Sequence, residues 1–206
     1  MLILPTCAKA LAKAGANLIE SFLAMRYLLI ILLLTATAFV NGPKLVKTKI
    51  SEGITVSIPE TFTPMLPDDI VQRLPSVRAP LAAYTNPDRD IDFSVNISAT
   101  QWPDANLELA SKFFRSGLQN LYDKVDFINE GIVEIHGKRF IFFEMESRMN
   151  GLRANETQRA PVIKYTYIQY LVEKNRTLVF SFNCPARVKE DWQSTASQVM
   201  KSVRVK

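Results

Sequence analysis

Few residues in this chain could do chemistry. His136 is the only histidine, and Cys7 and Cys184 are the only cysteines. A Ser-His-Asp or Cys-His site would have to use His136. That residue sits in His136-Gly137-Lys138, which reads as a tight turn and a poor mount for a preorganised base. Metal ligation by several histidines is excluded, and neither cysteine belongs to a Cys-x-x-Cys pair or a zinc-type spacing. Cys184 stands just before Pro185. A thiol reacts there only if a base or a helix N-terminus lowers its pKa, and otherwise packs as a small apolar side chain.

The carboxylates are no more specific. Glu144 and Glu146 share one face of a strand, and such a pair runs acid–base chemistry when its two environments differ. No partner acid is placed by sequence, so ion pairing is the plainer reading. Asp88, Asp90 and Asp92 resemble the opening of a calcium loop. That loop also needs glycine at its sixth position and a carboxylate at its twelfth. Those positions hold Phe93 and Ala99, so the segment reads as a solvated turn. The expectation is therefore no catalytic, cofactor-binding or metal-binding residue. The set singled out for contact is Arg148, Arg153, Arg159 and Lys164, cations in and beside a polar loop that could meet an acidic partner. Asn96-Ile97-Ser98, Asn155-Glu156-Thr157 and Asn175-Arg176-Thr177 are glycosylation sequons, relevant only in a eukaryotic secretory pathway.

These residues hang on a central hairpin, VIKYTYIQYLVEKNRTLVFSFN, from Val162 to Asn183. Ile163, Tyr165, Tyr167, Gln169 and Leu171 alternate with Val162, Lys164, Thr166, Ile168, Tyr170 and Val172. Both sets are largely apolar, so both faces of the strand are expected to be covered. Leu178, Phe180 and Phe182 line one side of the returning strand. Lys174-Asn175-Arg176 supplies the turn, with Asn175 expected at positive φ.

Around the hairpin, strands are expected at 46–51 and 54–58 about the Glu52-Gly53 turn, with Pro59 ending the second. Thr61–Pro80 carries Pro64, Pro67, Pro75 and Pro80 and reads as an irregular surface excursion with a short helix from Pro67 to Leu74. Strands at 81–85 and 91–100 flank Asn86-Pro87-Asp88-Arg89-Asp90. In the second of them Ile91, Phe93, Val95 and Ile97 alternate with Asp92, Ser94, Asn96 and Ser98, predicting one buried and one wetter face. Asp104 or Asn106 can cap a helix whose apolar stripe is Leu107, Ala110, Phe114, Leu118, Leu121 and Val125, with Lys112, Arg115 and Gln119 pointing elsewhere. Strands at 127–135 and 139–147 follow, then a polar loop at 149–161. A last amphipathic helix carries Val188, Trp192, Thr195, Ala196, Val199 and Val203. Hairpin links imply antiparallel pairing, and helices after strand pairs imply layers. The expected fold is α+β: an antiparallel β-sheet of six to eight strands covered by two or three helices.

Composition and the N-terminus bear on compartment. The 206 residues are 48% hydrophobic and 22% charged, enough for a real core. Net charge is +5. Without residues 1–38 the chain keeps 22 basic and 19 acidic residues, too mild a balance to argue for nucleic acid. Arg26, the apolar Tyr27–Leu34 and Ala36-Thr37-Ala38 have the makeup of a secretory signal peptide. The uncharged run ends at Val40, short of the ~20 residues a spanning helix needs. Residues 1–24 read as a misassigned upstream start, 25–38 as the signal and 44–206 as a single domain. The location is secreted or periplasmic, with membrane attachment only if the segment is uncleaved.

The order of elements over 44–205 resembles the PsbP-like fold. The resemblance rests on Gly53-Ile54-Thr55-Val56-Ser57-Ile58-Pro59 as the opening strand, the helix at 106–123 and Gly131–Gly137, a strand ending in glycine. Leu178–Pro185 leading to Trp192 and Ser202-Val203-Arg204 completes it. Phe62 stands where the family often carries tryptophan. Members include the photosystem II extrinsic subunit, a nuclear Ran-binding import factor and bacterial DcrB-like envelope proteins. The resemblance implies an α/β/α sandwich and no shared catalytic residues. It also implies a non-enzymatic accessory or chaperone-like protein that binds another protein or an envelope component. Fold alone does not give function. A small secreted hydrolase using Cys184 or the carboxylates, or a membrane-tethered structural protein, are the alternatives.

Overall fold

The computed structural model describes residues 42–74, 78–100, 102, 106–150 and 160–206. At its centre is the expected hairpin, β8 (Val162–Glu173) and β9 (Arg176–Pro185), paired from Lys164↔Pro185 to Glu173↔Arg176. β7 (Lys138–Met149) pairs with β8, and β6 (Lys124–Ile135) with β7. On the other side β5 (Asp92–Ile97) pairs with β9, followed by β4 (Ala82–Thr85) and β3 (Thr63–Pro64). The order β3-β4-β5-β9-β8-β7-β6 is antiparallel throughout. A second sheet, β1 (Leu45–Ser51), β2 (Ile54–Pro59) and β10 (Arg204–Val205), has the order β1-β2-β10. The helices are α1 (Pro67–Arg73), α2 (Leu107–Leu121) and α3 (Lys189–Lys201), the last preceded by a 3-10 turn at Ala186–Val188.

Strand alternation sorts the large sheet into two faces, and different elements cover each. Phe93, Val95, Phe140, Tyr165, Tyr167, Leu178, Phe180, Phe182 and Cys184 pack with Ile54, Val56 and Ile58 of β2 and with Ala196, Val199 and Met200 of α3. Ile141, Phe143, Met145 and Tyr170 face the other way and take Ala110, Phe114 and Leu118 of α2. Phe114 lies flat on Tyr170, ring centroids 4.2 Å apart. Gln169, wholly buried in the first core, donates from Nε2 to the Met200 carbonyl at 3.2 Å and so satisfies an end carbonyl of α3. This is the α+β layered arrangement expected, with three α-helices among the described residues.

Four local expectations change. Asn175 does not take positive φ; the β8–β9 loop closes without it, and Arg176 donates to Glu173 across the turn at 2.8 Å. Among the described non-glycine residues, positive φ falls instead at Arg89 (57°) and His136 (49°). At Arg89 the Asn86 Oδ1 accepts the backbone N–H groups of Asp90 and Ile91 and holds the turn. The 61–80 excursion is less irregular than its prolines suggest, since β3 joins the large sheet and Phe62 and Met65 are buried. Leu121, placed on the buried stripe of α2, is 62% exposed, and Val125 belongs to β6. Arg115, expected to point away, lies 4.2 Å over the Phe127 ring and pairs with Glu130 at 2.8 Å. The fourth change concerns β5: Asp92 and Ser94, on the side expected to be wetter, are buried like Phe93 and Val95.

Candidate functional site

Glu144 and Glu146 do share a face of β7, and both are used to dock the first turns of α3. Glu144 is buried and accepts hydrogen bonds from the Tyr165 hydroxyl at 2.9 Å and from Gln193. Lys189, the first residue of α3, pairs with Glu146 at 2.6 Å. Burial, the hydrogen bond to Glu144 and its charge push the Tyr165 phenol far above its ordinary range, so it stays protonated. Cys184 is 1% exposed on the α3 face. Burial first, then the charges of Asp90 and Asp92, push its thiol up to about 12, the opposite of what a nucleophile needs.

His136 cannot serve either group. It is exposed in the β6–β7 turn, at the same end of the sheet as the β8–β9 turn. Cys184 lies eight residues up β9 from Arg176, which strand rise converts to roughly 25 Å. Glu144 is some six residues, roughly 20 Å, along β7. Among the described residues His136 forms no dyad with Cys184, Glu144 or Glu146. Two of the aspartates read against a calcium loop, Asp90 and Asp92, are held by separate partners. Asp90 accepts from Asn86 and pairs with Arg187 at 2.9 Å, and Asp92 pairs with Arg73 at 2.9 Å. Among the described residues no group of three His, Cys, Asp or Glu side chains is placed to hold a metal ion.

Asp92 is the centre of a buried polar network that alternation alone did not indicate. Its Oδ1 accepts from Asn183 Nδ2 at 2.8 Å, while Asn183 Oδ1 accepts from the Thr166 hydroxyl at 2.8 Å. Arg73, at the end of α1, donates to both Asp92 and the Thr85 hydroxyl. Burial pushes the Asp92 carboxyl above its ordinary value of 3.8; the Asn183 hydrogen bond and the charges of Arg73 and Lys164 pull it part of the way back. A raised folded pKa favours folding fully below the unfolded value, and that contribution is lost as pH rises through the folded one. Asp92→Asn is therefore expected to gain on the wild type in unfolding free energy as pH rises from about 4 to 7. Urea melts across that range check this; a gap that does not change with pH would refute the raised value.

Of the contact set, Arg148 and Lys164 lie within the described residues. Arg148 is exposed and donates to Asn150 at 3.0 Å. Ser147 pairs with Lys164 and Arg148 with Ile163, so Arg148 and Lys164 project from opposite faces of the sheet. Lys164 is half-buried on the side of Asp92. Arg153 and Arg159 lie outside the described residues.

A different concavity is open at the turn end of the sheet. It is a cleft of about 1060 Å³, on the scale of a ligand site. Lys138 and Arg139 come from the start of β7, Lys174 and Arg176 from the β8–β9 turn, and Trp102 and Leu107 from the approach to α2. The two turns sit side by side because the β6–β7 and β8–β9 hairpins are neighbours through β7–β8. Trp102 packs on Phe113 and Phe114, at 5.4 and 6.4 Å between centroids. Its Nε1 is shielded from solvent with no acceptor among the described residues. The sequence marked each turn but not their adjacency.

No protein-family model matches the chain, and no curated protein matches it in sequence. Solved structures do. The solution structure of cyanobacterial PsbP, CyanoP, from Synechocystis sp. PCC 6803 superposes with a TM-score of 0.55 at 12% identity, over 82% of this chain and 96% of that one. The Saccharomyces cerevisiae Ran-binding protein Mog1p gives 0.51 at 14% identity, over 80% and 96%. The chain has the PsbP-like fold. LpqN of Mycobacterium tuberculosis, described as involved in cell envelope biogenesis, gives 0.50 at 10% identity, over 79% and 90%. At these identities the likeness is one of fold, and the PsbP-like layers seen here are the β1-β2-β10 sheet with α3, the seven-stranded sheet, and α2.

Proposed function

We propose that this chain is an exported, non-enzymatic accessory protein, chaperone-like in mode, that binds another protein or an envelope component. One observation carries the reading. The groups with chemical potential are occupied in holding the fold: Cys184 in the core, Glu144 and Glu146 under α3, and Asp92 with Arg73. What the surface offers instead is a cleft with an aromatic wall and a cationic rim, the residue types of a contact site. Mog1p is a Ran-binding protein and LpqN takes part in envelope biogenesis; on the same fold, those descriptions support contact as the mode of action. Within this reading, the bacterial DcrB-like envelope proteins are the group it would join.

Export rests on residues 25–38 as a cleaved signal and 1–24 as sequence upstream of the true start, all outside the described residues. The body at work is then the domain at 44–206. The test is mass spectrometry of the mature N-terminus in the native host, together with photocross-linking in cells from probes at Lys174 and at Met149. The expected result is an N-terminus just after Ala38 and a discrete protein adduct. An intact segment from Met25 would favour the tethered reading. Loss of a measured hydrolysis in Cys184→Ser or Glu144→Gln, with folding intact, would favour the enzyme.

A further inference from the structure

The turn-end cleft gathers more positive charge than folding requires. Lys138, Arg139, Lys174 and Arg176 line it against one carboxylate, Glu173. Glu173 already serves Arg176 at 2.8 Å and Lys138 at 3.8 Å. Arg139 and Lys174 have no ion-pair or hydrogen-bond partner among the described residues. Exposed ion pairs add little to stability, so the fold gains nothing by concentrating cations here. Cations lining one cleft at the end of the sheet repel each other, and the concavity focuses their field outward. Between them lie Leu171 and Val172, with Trp102 and Leu107 at the side. Leu109 and Phe113 extend this apolar surface along α2, at 52% and 47% exposure.

Resting on the binding-protein reading above, we propose that this cleft is the docking site for an acidic peptide segment of a partner protein. Carboxylates of the segment meet Lys138, Arg139, Lys174 and Arg176, and one of its apolar side chains rests against Trp102 and Leu107. Rim charges of this kind set the on-rate and the salt dependence, while the indole supplies the anchor. The chain outside the signal region is only mildly basic, so the positive field is local, and salt screens it within roughly 8 Å at physiological ionic strength. The positive groups ring a concave site with an apolar floor, which suits a chain segment entering it better than a flat layer of headgroups touching its rim.

The experiment uses the full chain and a fluorescein-labelled peptide alternating glutamate with leucine, followed by anisotropy. A glutamine–leucine peptide is the charge control, and phosphatidylglycerol vesicles are the membrane arm. The account expects saturable binding of the acidic peptide, weakened roughly tenfold or more in an R139E/K174E double variant and also by raised salt. It expects Trp102→Phe to weaken binding with the salt dependence unchanged, because that change trims the aromatic contact surface and removes no charge. Arg139 stands opposite Glu134 on β6, so an R139Q/K174Q variant, which removes both cations without setting two carboxylates side by side, serves as the folding control and should also weaken binding with a melting temperature near the wild type. Equal binding of the glutamine peptide, or no effect of the double variant, overturns the proposal. So does vesicle binding that exceeds peptide binding and survives Trp102→Phe. If the acidic peptide fails while a cellular protein adduct still forms from Met149, the docking chemistry is wrong and the binding-protein reading stands. If no adduct forms from either probe, that reading falls as well.

Discussion

Phe182→Ala is expected to lower the unfolding free energy by about 3–5 kcal/mol. Phe182 has no exposed surface and sits mid-strand on β9, opposite Phe93 on one side and Tyr167 on the other. Its ring lies 6.2 Å from Phe62 and 6.1 Å from Trp192, so it joins the sheet to the 61–80 segment and to α3 at once. The loss has two parts: the transfer free energy of the removed ring, and a cavity among side chains held on three different elements, which cannot all collapse into it. Leu121→Ala is the internal contrast. That side chain is mostly exposed at the end of α2, and its removal should change stability by no more than about 0.5 kcal/mol. Urea denaturation of both variants checks the pair. Similar effects for the two would mean that the aromatic cluster does not carry the core.

Arg73→Ala is expected to cost about 3–5 kcal/mol at neutral pH, for an electrostatic reason. It leaves Asp92, 2% exposed, without its cation and takes a donor from Thr85. The Asn183 hydrogen bond and the more distant Lys164 then remain to oppose the burial. Removing one partner of a buried pair is worse than removing both. A double change, Arg73→Met with Asp92→Leu, should therefore lose less than the single Arg73→Ala. A double variant no better than the single would mean that the network, and not the stranded charge, was what mattered.

Much of the fold was legible because it is local. Two apolar sets on 162–172 announced a strand covered on both faces, and Tyr165 and Tyr170 fill those two faces. Turn residues placed the hairpins, and Asn106 caps α2 through Leu109 N–H as its type suggested. What failed depended on distant neighbours. Helical periodicity shows which side of α2 is apolar, not how far the layer beneath extends, so it puts Leu121 on the buried stripe although the side chain is mostly exposed. Alternation in β5 predicts a wetter face because nothing in Asp92 itself shows that Arg73 and Asn183 will hold it. The cleft was invisible for the same reason: Lys138 and Lys174 are brought together by the β7–β8 pairing.

The central claim is that the reactive-looking groups serve the fold and that the surface does the work. Native-state labelling of Cys184 tests it most directly, using a Cys7→Ala chain and a small thiol reagent at neutral pH. A buried thiol pushed up to about 12 should be modified only as fast as the protein unfolds, and the rate should rise in Phe182→Ala in step with lost stability. Labelling at the rate of a free thiol, unaffected by Phe182→Ala, would mean an accessible, activated cysteine and would contradict the account.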